Sequence, residues 1–437
     1  MANTNDSPAT DQAEHVATAS TTYFTAVKEH AATSSTTYFT SLEEQIERSK
    51  SHWSEVAQFE SDSDSDDEEA VLVDNIRVFL GLTMHPTWGS FFVWFSTGPS
   101  LANEQIGQLY EARKFAQGGQ AELYDVKIRW WNPEHDKYDQ ELGRQWVLKV
   151  FNKGTKLRRL QSQWPQGLLQ FHAERMERSK LGTPALGVRY FCDVYYGTLL
   201  TDGRFAFLMR RERQDLRSML DDSKTTQSSG PFWQNLLDSF KRKEDLVPYN
   251  EGVVEMMMCW IALGMDWLHD HNIVHRDIKA SNVLFALNKG QGWGCYIADW
   301  ECSVGVVGTG FFRAPEILQA LKDGNASSNC NLFTKASDVY SFGMTCYELL
   351  TGKLPFEGHP CMDYDLVLKG QRPEVPKSVD NWIQELLRWC WQSNPKARPT
   401  SGEVLNFLEA NSSSAAILRR KIRNVVPERN PFVSDHT

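Results

Sequence analysis

Near residue 250 the hydrophobic periodicity of the chain changes, and that change constrains the fold more than any other feature. Residues 105–250 read as strands with one helical interlude, and residues 251–410 read mostly as helices. A strand-rich stretch followed by a helix-rich one predicts an α+β protein with a β-rich N-lobe and an α-helical C-lobe. With 41% hydrophobic and 23% charged residues, the 437-residue chain has the ordinary make-up of globular domains.

The net charge of −10 is unevenly placed. Residues 1–70 hold 15 Asp and Glu against 3 Lys and Arg, so the acidity belongs to this stretch and not to the rest. Rich in Ser, Thr, Ala and acids, it cannot offset the entropy of ordering and is expected to be a disordered acidic tail. Inside it Ser20-Thr-Thr-Tyr-Phe-Thr25 recurs as Ser35-Thr-Thr-Tyr-Phe-Thr40, too few copies for a solenoid. Ser61, Ser63 and Ser65 alternate with acids, a pattern suited to an acidophilic kinase or to a solvated charge run.

Residues 71–104 are expected to pack on the following domain as an extension, with Phe91-Phe-Val-Trp-Phe95 as an edge strand. Val78–Asn103 carries no Asp, Glu, Lys or Arg, but Gly81, Pro86, Gly98 and Pro99 interrupt it, so no membrane span is expected. The N-terminal stretch lacks a secretory apolar core. None of the eight cysteines forms a Cys-x-x-Cys pair, which predicts reduced thiols and a cytoplasmic protein, with the nucleus as the alternative. No basic stripe pairs with aromatics, so no nucleic-acid partner is expected. Residues 411–437, with Arg419, Arg420, Lys421 and Arg423, read as a basic flexible tail.

The segment that carries chemistry is His275-Arg-Asp-Ile-Lys-Ala-Ser-Asn282. An apolar-periodic helix, roughly residues 250–271, precedes it, and the strand-like Val283-Leu-Phe285 follows. This order and spacing resemble the catalytic loop of protein kinases, H-R-D-x-K-x-x-N. Transfer of a γ-phosphoryl group needs a carboxylate near the attacking hydroxyl, a cation near the developing charge and oxygen ligands for a metal. The resemblance gives these tasks to Asp277, Lys279 and Asn282, with His275 and Arg276 as structural residues of the loop. It implies ATP and Mg²⁺ as cofactors and a protein as substrate.

Other segments extend the resemblance over about residues 105–410. Ile297-Ala-Asp-Trp-Glu301 stands where the family carries D-F-G, so Asp299 would bind the metal, while Trp300 replaces Phe and Glu301 replaces Gly. Ala116-Gln-Gly-Gly-Gln-Ala-Glu-Leu-Tyr124 resembles the glycine-rich loop, with Ala116, Gly118, Gly119, Ala121 and Leu123 at the phosphates. Trp146-Val-Leu-Lys-Val-Phe151 supplies Lys149 for the α- and β-phosphates, and Glu174 is the candidate partner of that lysine. Phe205-Ala-Phe-Leu-Met209 would precede a hinge at 210–215, with Met209 at the adenine and Asp215 at the ribose. Thr309 would contact Asp277 and Lys279, Glu316 would pair with Arg398, and Asp338 would hold the catalytic-loop backbone.

Leu350-Thr-Gly-Lys-Leu-Pro-Phe356 and Cys390-Trp-Gln-Ser-Asn-Pro-Lys-Ala-Arg-Pro-Thr400 resemble the tyrosine-kinase-like group common in plants, and Lys279 is typical of its Ser/Thr enzymes. The resemblance therefore implies an intracellular Ser/Thr protein kinase. The altered glycine loop and Trp300-Glu301 leave a second class open, a pseudokinase acting as a nucleotide-binding or scaffold protein. The segment from Asp299 to Glu316 is short, and its hydroxyls are only Ser303 and Thr309, so it is expected to be ordered without phosphorylation, with Glu301 as an ion partner for Arg276.

Overall fold

The computed structural model describes residues 68–86, 89–96, 107–132, 137–140, 145–161, 164, 190–192, 194–212, 214–225, 252–288, 292–300, 308–325 and 332–425. They divide into two compact units. One holds the described residues up to Arg158 and Tyr195–Leu208; the other holds the described residues among 159–171, 186–194 and 209–437.

The first unit opens with helix α1, Glu68–Thr83. Val71, Asn75, Phe79 and Leu82 recur at helical spacing and are all buried, which makes one inward stripe. The helix starts within the stretch whose composition predicts disorder. Over residues 91–95 the structure departs from the expected edge strand. A 3₁₀ turn spans Gly89–Phe91, and the strand is only β1, Phe95–Ser96. Phe91, Phe92 and Val93 are buried in succession, and a strand's two-residue alternation cannot bury three neighbours on one face.

A seven-stranded sheet follows, built from β1, β2 (Gly107–Gln117), β3 (Ala121–Asn132), β4 (Lys137–Gln140), β5 (Trp146–Phe151), β6 (Val194–Leu199) and β7 (Phe205–Arg210). Its order is β1-β2-β3-β5-β7-β6, with β4 paired to β3. β2, β3 and β5 are antiparallel, in register from Gln117↔Glu122 and from Ala121↔Phe151. One core gathers Val93, Phe95, Val126, Ile128, Trp146, Leu148, Val150, Ala206 and Leu208. Because side chains alternate along a strand, Lys149, Phe151, Phe205 and Phe207 turn to the opposite face.

The second unit is helical apart from a small sheet, in order β10-β9-β8, made of β8 (Gln214–Asp215), β9 (Val283–Asn288) and β10 (Gly292–Ile297). Its described helices of eight residues or more are α2 (Leu216–Thr225), α3 (Val253–Asp270), α4 (Pro315–Lys322), α5 (Lys335–Thr351), α6 (Asn381–Cys390), α7 (Ser401–Asn411) and α8 (Ser413–Val425). α3 is buried from Met257 through Met265, and α5 from Ser337 through Leu349. Gly264 lets α3 approach β10 closely, because a Cβ there would stand 2.7 Å from the Tyr190 carbonyl oxygen and 2.9 Å from Ile297 Cδ1. Thr334 and Thr400 cap α5 and α7 with reciprocal capping boxes.

α8 corrects the expectation of a flexible tail after residue 410. Ala415, Leu418 and Ile422 are buried at helical spacing, while Arg420, Lys421 and Arg423 face outward. Basic composition masked an amphipathic helix. Among the described residues no helix is long and apolar enough to cross a membrane.

Candidate active site

The loop after α3 is set by one buried carboxylate. Asp338 on α5 accepts from the backbone N–H of His275 at 2.7 Å and of Arg276 at 2.8 Å, and from His269 Nε2 at 3.0 Å. Arg276 takes a positive φ of 75°, a conformation that non-glycine residues rarely adopt, so this clamp holds a strained turn. The Arg276 guanidinium lies 5.6 Å from the Phe333 ring centre. His275 is fully buried; its Nδ1 accepts from the Asp277 N–H at 3.2 Å and its Nε2 donates to the Ala298 carbonyl at 2.8 Å. That pattern fits a neutral imidazole protonated on Nε2.

Around Asp277 the polar groups form a closed ring. Lys279 Nζ donates to Asp277 Oδ2 at 2.7 Å and to Thr309 Oγ1 at 2.6 Å, and the Thr309 hydroxyl donates to Asp277 Oδ1 at 2.7 Å. Asn282 Nδ2 donates to the Asp277 carbonyl at 2.8 Å and to its Oδ2 at 3.2 Å. With its nitrogen so engaged, the Asn282 amide oxygen is turned away from Asp277. The Asp277 and Lys279 side chains keep 13% and 20% of their surface exposed, so the carboxylate can still meet a ligand.

Asp299 arrives at the same end of the β9–β10 hairpin. Val283 pairs with Ile297, and the Ala298 N–H donates to the Asn282 carbonyl at 2.9 Å, which puts Asp299 beside the loop that carries Asn282. Asp299 is exposed, with φ 65°. Its neighbour Trp300 is 1% exposed, donates from Nε1 to the Cys192 carbonyl at 3.0 Å and meets the Phe191 ring edge-on with centroids 5.1 Å apart. Where the resemblance expects Phe, this chain buries a larger ring with a hydrogen bond of its own. An amide oxygen and a carboxylate are hard donors, a set suited to Mg²⁺.

Several expected side chains take their places within single units. Arg398 grips Glu316 bidentately at 2.8 and 2.7 Å, and also donates to the carbonyls of Ala336 and Gln392. Asp215 accepts from Ser218 N–H at 2.9 Å and Oγ–H at 2.6 Å, so its carboxylate caps the start of α2 in addition to any ligand it meets. Met209 is buried at the end of β7. In the first unit Lys149 is 6% exposed, opposite Leu123 in register, with Nζ 5.8 Å from the Phe151 ring centre. Gly118 N–H donates to the Ala121 carbonyl at 2.8 Å, which closes the β2–β3 turn after Ala116. Neither Gly118 nor Gly119 has positive φ and a Cβ on either would meet nothing closer than 3.7 Å, so the turn itself does not require them. Glu174, Glu301, Ser303, Ser61, Ser63 and Ser65 lie outside the described residues.

Three residues support the loop without having been singled out in the sequence. Glu348 on α5 accepts from the Ala280 N–H at 3.2 Å and from Arg217 Nη1 at 3.0 Å, and Thr345 Oγ1 donates to the Ile278 carbonyl at 3.2 Å. Burial pushes the Glu348 carboxyl above its ordinary value, against the pull of Arg217 and the Ala280 amide. The available signal was an acid inside the apolar run of α5, which needs a buried partner.

Residues 232–408 match the family described as protein kinase domain. That stretch carries Asp277, Lys279, Asn282 and Asp299. The chain is 36% identical over 159 residues to a probable serine/threonine-protein kinase of Dictyostelium discoideum, covering 34% of this chain and 11% of that protein. It is 32% identical over 155 residues to the serine/threonine-protein kinase STY17 of Arabidopsis thaliana, covering 34% of this chain and 25% of the relative. Against the Arabidopsis serine/threonine/tyrosine-protein kinase HT1 it is 32% identical over 158 residues, covering 34% and 37%. The matched stretch thus spans well under half the length of these relatives.

Proposed function

We propose that the protein is an ATP-dependent protein kinase of the tyrosine-kinase-like group that phosphorylates Ser and Thr hydroxyls of proteins. The observation that carries this reading is the ring of Asp277, Lys279 and Thr309, with contacts of 2.6–2.7 Å, beside Asn282. In this role Asp277 orients the substrate hydroxyl and takes up its proton, and Lys279 offsets charge developing on the transferred group. Thr309 holds both at a fixed separation. Asn282 and Asp299 would hold Mg²⁺, which would neutralise phosphate charge. Lys149 would bind the α- and β-phosphates, and Gly118 and Gly119 would lie over them. Six described cysteines, including the buried Cys192, Cys259, Cys295, Cys346 and Cys390, are free thiols, which supports a reducing, cytoplasmic setting.

Transfer of labelled phosphate from ATP to a generic basic protein tests the reading, wild type against Asp277→Asn. A fall of several orders of magnitude in the variant is expected. Equal or absent transfer in both proteins would overturn it. Binding of ATP with Mg²⁺ but no transfer would instead mark a nucleotide-binding scaffold.

A further inference from the structure

Lys149 sits on a sheet face that residues 68–96 help to build. Asn75 of α1 is 1% exposed and makes three hydrogen bonds. Its Nδ2 donates to the Thr155 carbonyl at 3.0 Å and the Gly203 carbonyl at 2.9 Å, and its Oδ1 accepts from the Leu157 N–H at 2.6 Å. Thr155 and Leu157 lie just beyond β5, and Gly203 lies in the β6–β7 turn. One side chain therefore ties the exit of the strand that carries Lys149 to the turn that leads into its neighbour β7. Gly203, at φ 75°, has no Cβ because one would stand 2.2 Å from Leu72 Cδ1 on the same helix.

A second line of contact runs through rings. Phe79, fully buried on α1, meets Trp94 at 4.7 Å, Phe92 at 6.0 Å and Phe205 at 6.3 Å between centroids. Phe205 stacks on Phe151 at 6.1 Å, and the Lys149 ammonium lies 5.8 Å from the Phe151 ring centre. Packing of this density transmits displacement, because interiors have few voids in which to absorb it.

We propose that Asn75 and Phe79 are positioning residues for Lys149: α1 fixes the end of the β5–β7 pair and the aromatic face on which that ammonium rests. The inference rests on the kinase reading only where it concerns the nucleotide. Residues 68–96 are then a working part of the phosphate-binding strand and not a variable appendage.

The test uses the full chain with Asn75→Ala, Phe79→Ala and the milder Phe79→Leu. Ile128→Ala, in the core on the other sheet face, is the comparison for stability loss alone. Two readouts are taken. One is KM for ATP against KM for a generic basic protein; the other is the acylation rate of Lys149, by mass spectrometry, relative to the exposed Lys335. The α1 variants should raise KM for ATP by about fivefold or more, the low end of coupling between distinct sites, with KM for the protein unchanged. They should also speed Lys149 acylation by a similar factor, while Ile128→Ala changes neither ratio. Unchanged Lys149 acylation in all three α1 variants, or an equal change in Ile128→Ala, would overturn the proposal. If the wild type neither binds nor transfers phosphate, the kinase reading fails, and the acylation rates still decide whether α1 positions Lys149.

Discussion

Replacing Trp300 by Phe, the residue more usual for the family, should destabilise this protein. The indole is 1% exposed and its Nε1–H donates to the Cys192 carbonyl at 3.0 Å in a buried setting. Phenylalanine removes the donor and leaves the carbonyl behind, a loss of about 1–3 kcal/mol. The smaller ring also surrenders apolar contact with Phe191 and Trp267, roughly a further 1 kcal/mol. The expected total is about 2–4 kcal/mol, read from urea unfolding of both proteins with the slope unchanged. Because Trp300 adjoins Asp299, ATP with Mg²⁺ should also stabilise the variant less than the wild type. A loss under about 0.5 kcal/mol, the range of surface substitutions, would refute the view that the hydrogen bond fixes this turn.

Thr309→Val should lower kcat about 10- to 100-fold by freeing Asp277 and Lys279 to drift, while Thr309→Ser keeps most activity; steady-state rates on a basic protein decide it. Leu418→Ala should cost roughly 2–5 kcal/mol by urea unfolding, because α8 is packed; a flexible tail would give no change. Glu122, held chiefly by Lys114 and then by the Tyr124 hydroxyl, has its carboxyl lowered from 4.5 to about 2. A depressed folded value adds stability that is complete above 4.5 and is lost as pH falls toward 2. The stability difference between wild type and Glu122→Gln should therefore shrink across that window.

Local signals made much of the second unit legible. The helix, polar loop and strand around residues 253–288 differ in period, and the loop places its chemical groups within eight residues, His275 to Asn282. The first unit's extension was harder to read. In α1 the inward stripe includes Asn75, and an amide interrupts an apolar pattern even though three backbone partners satisfy it here. In α8 the cations outnumber the buried aliphatics, so composition hid the 3.6-residue period. The Trp300 bond to Cys192 spans 108 residues, and the Arg217 bond to Glu348 spans 131. Contacts so distant leave no mark on local pattern; only the oddity of the residue type, an indole or an acid in an apolar place, hints that a partner exists.

The Asp338 clamp has a consequence for solvent exchange. Its two oxygens hold the amides of His275 and Arg276 from a helix that is buried for most of its length. Those two protons cannot reach deuterium unless α5 itself comes loose, although the turn that bears them is backbone-strained. They should therefore exchange as slowly as the centre of α5, and a loop under backbone strain would keep time with the most durable part of the unit.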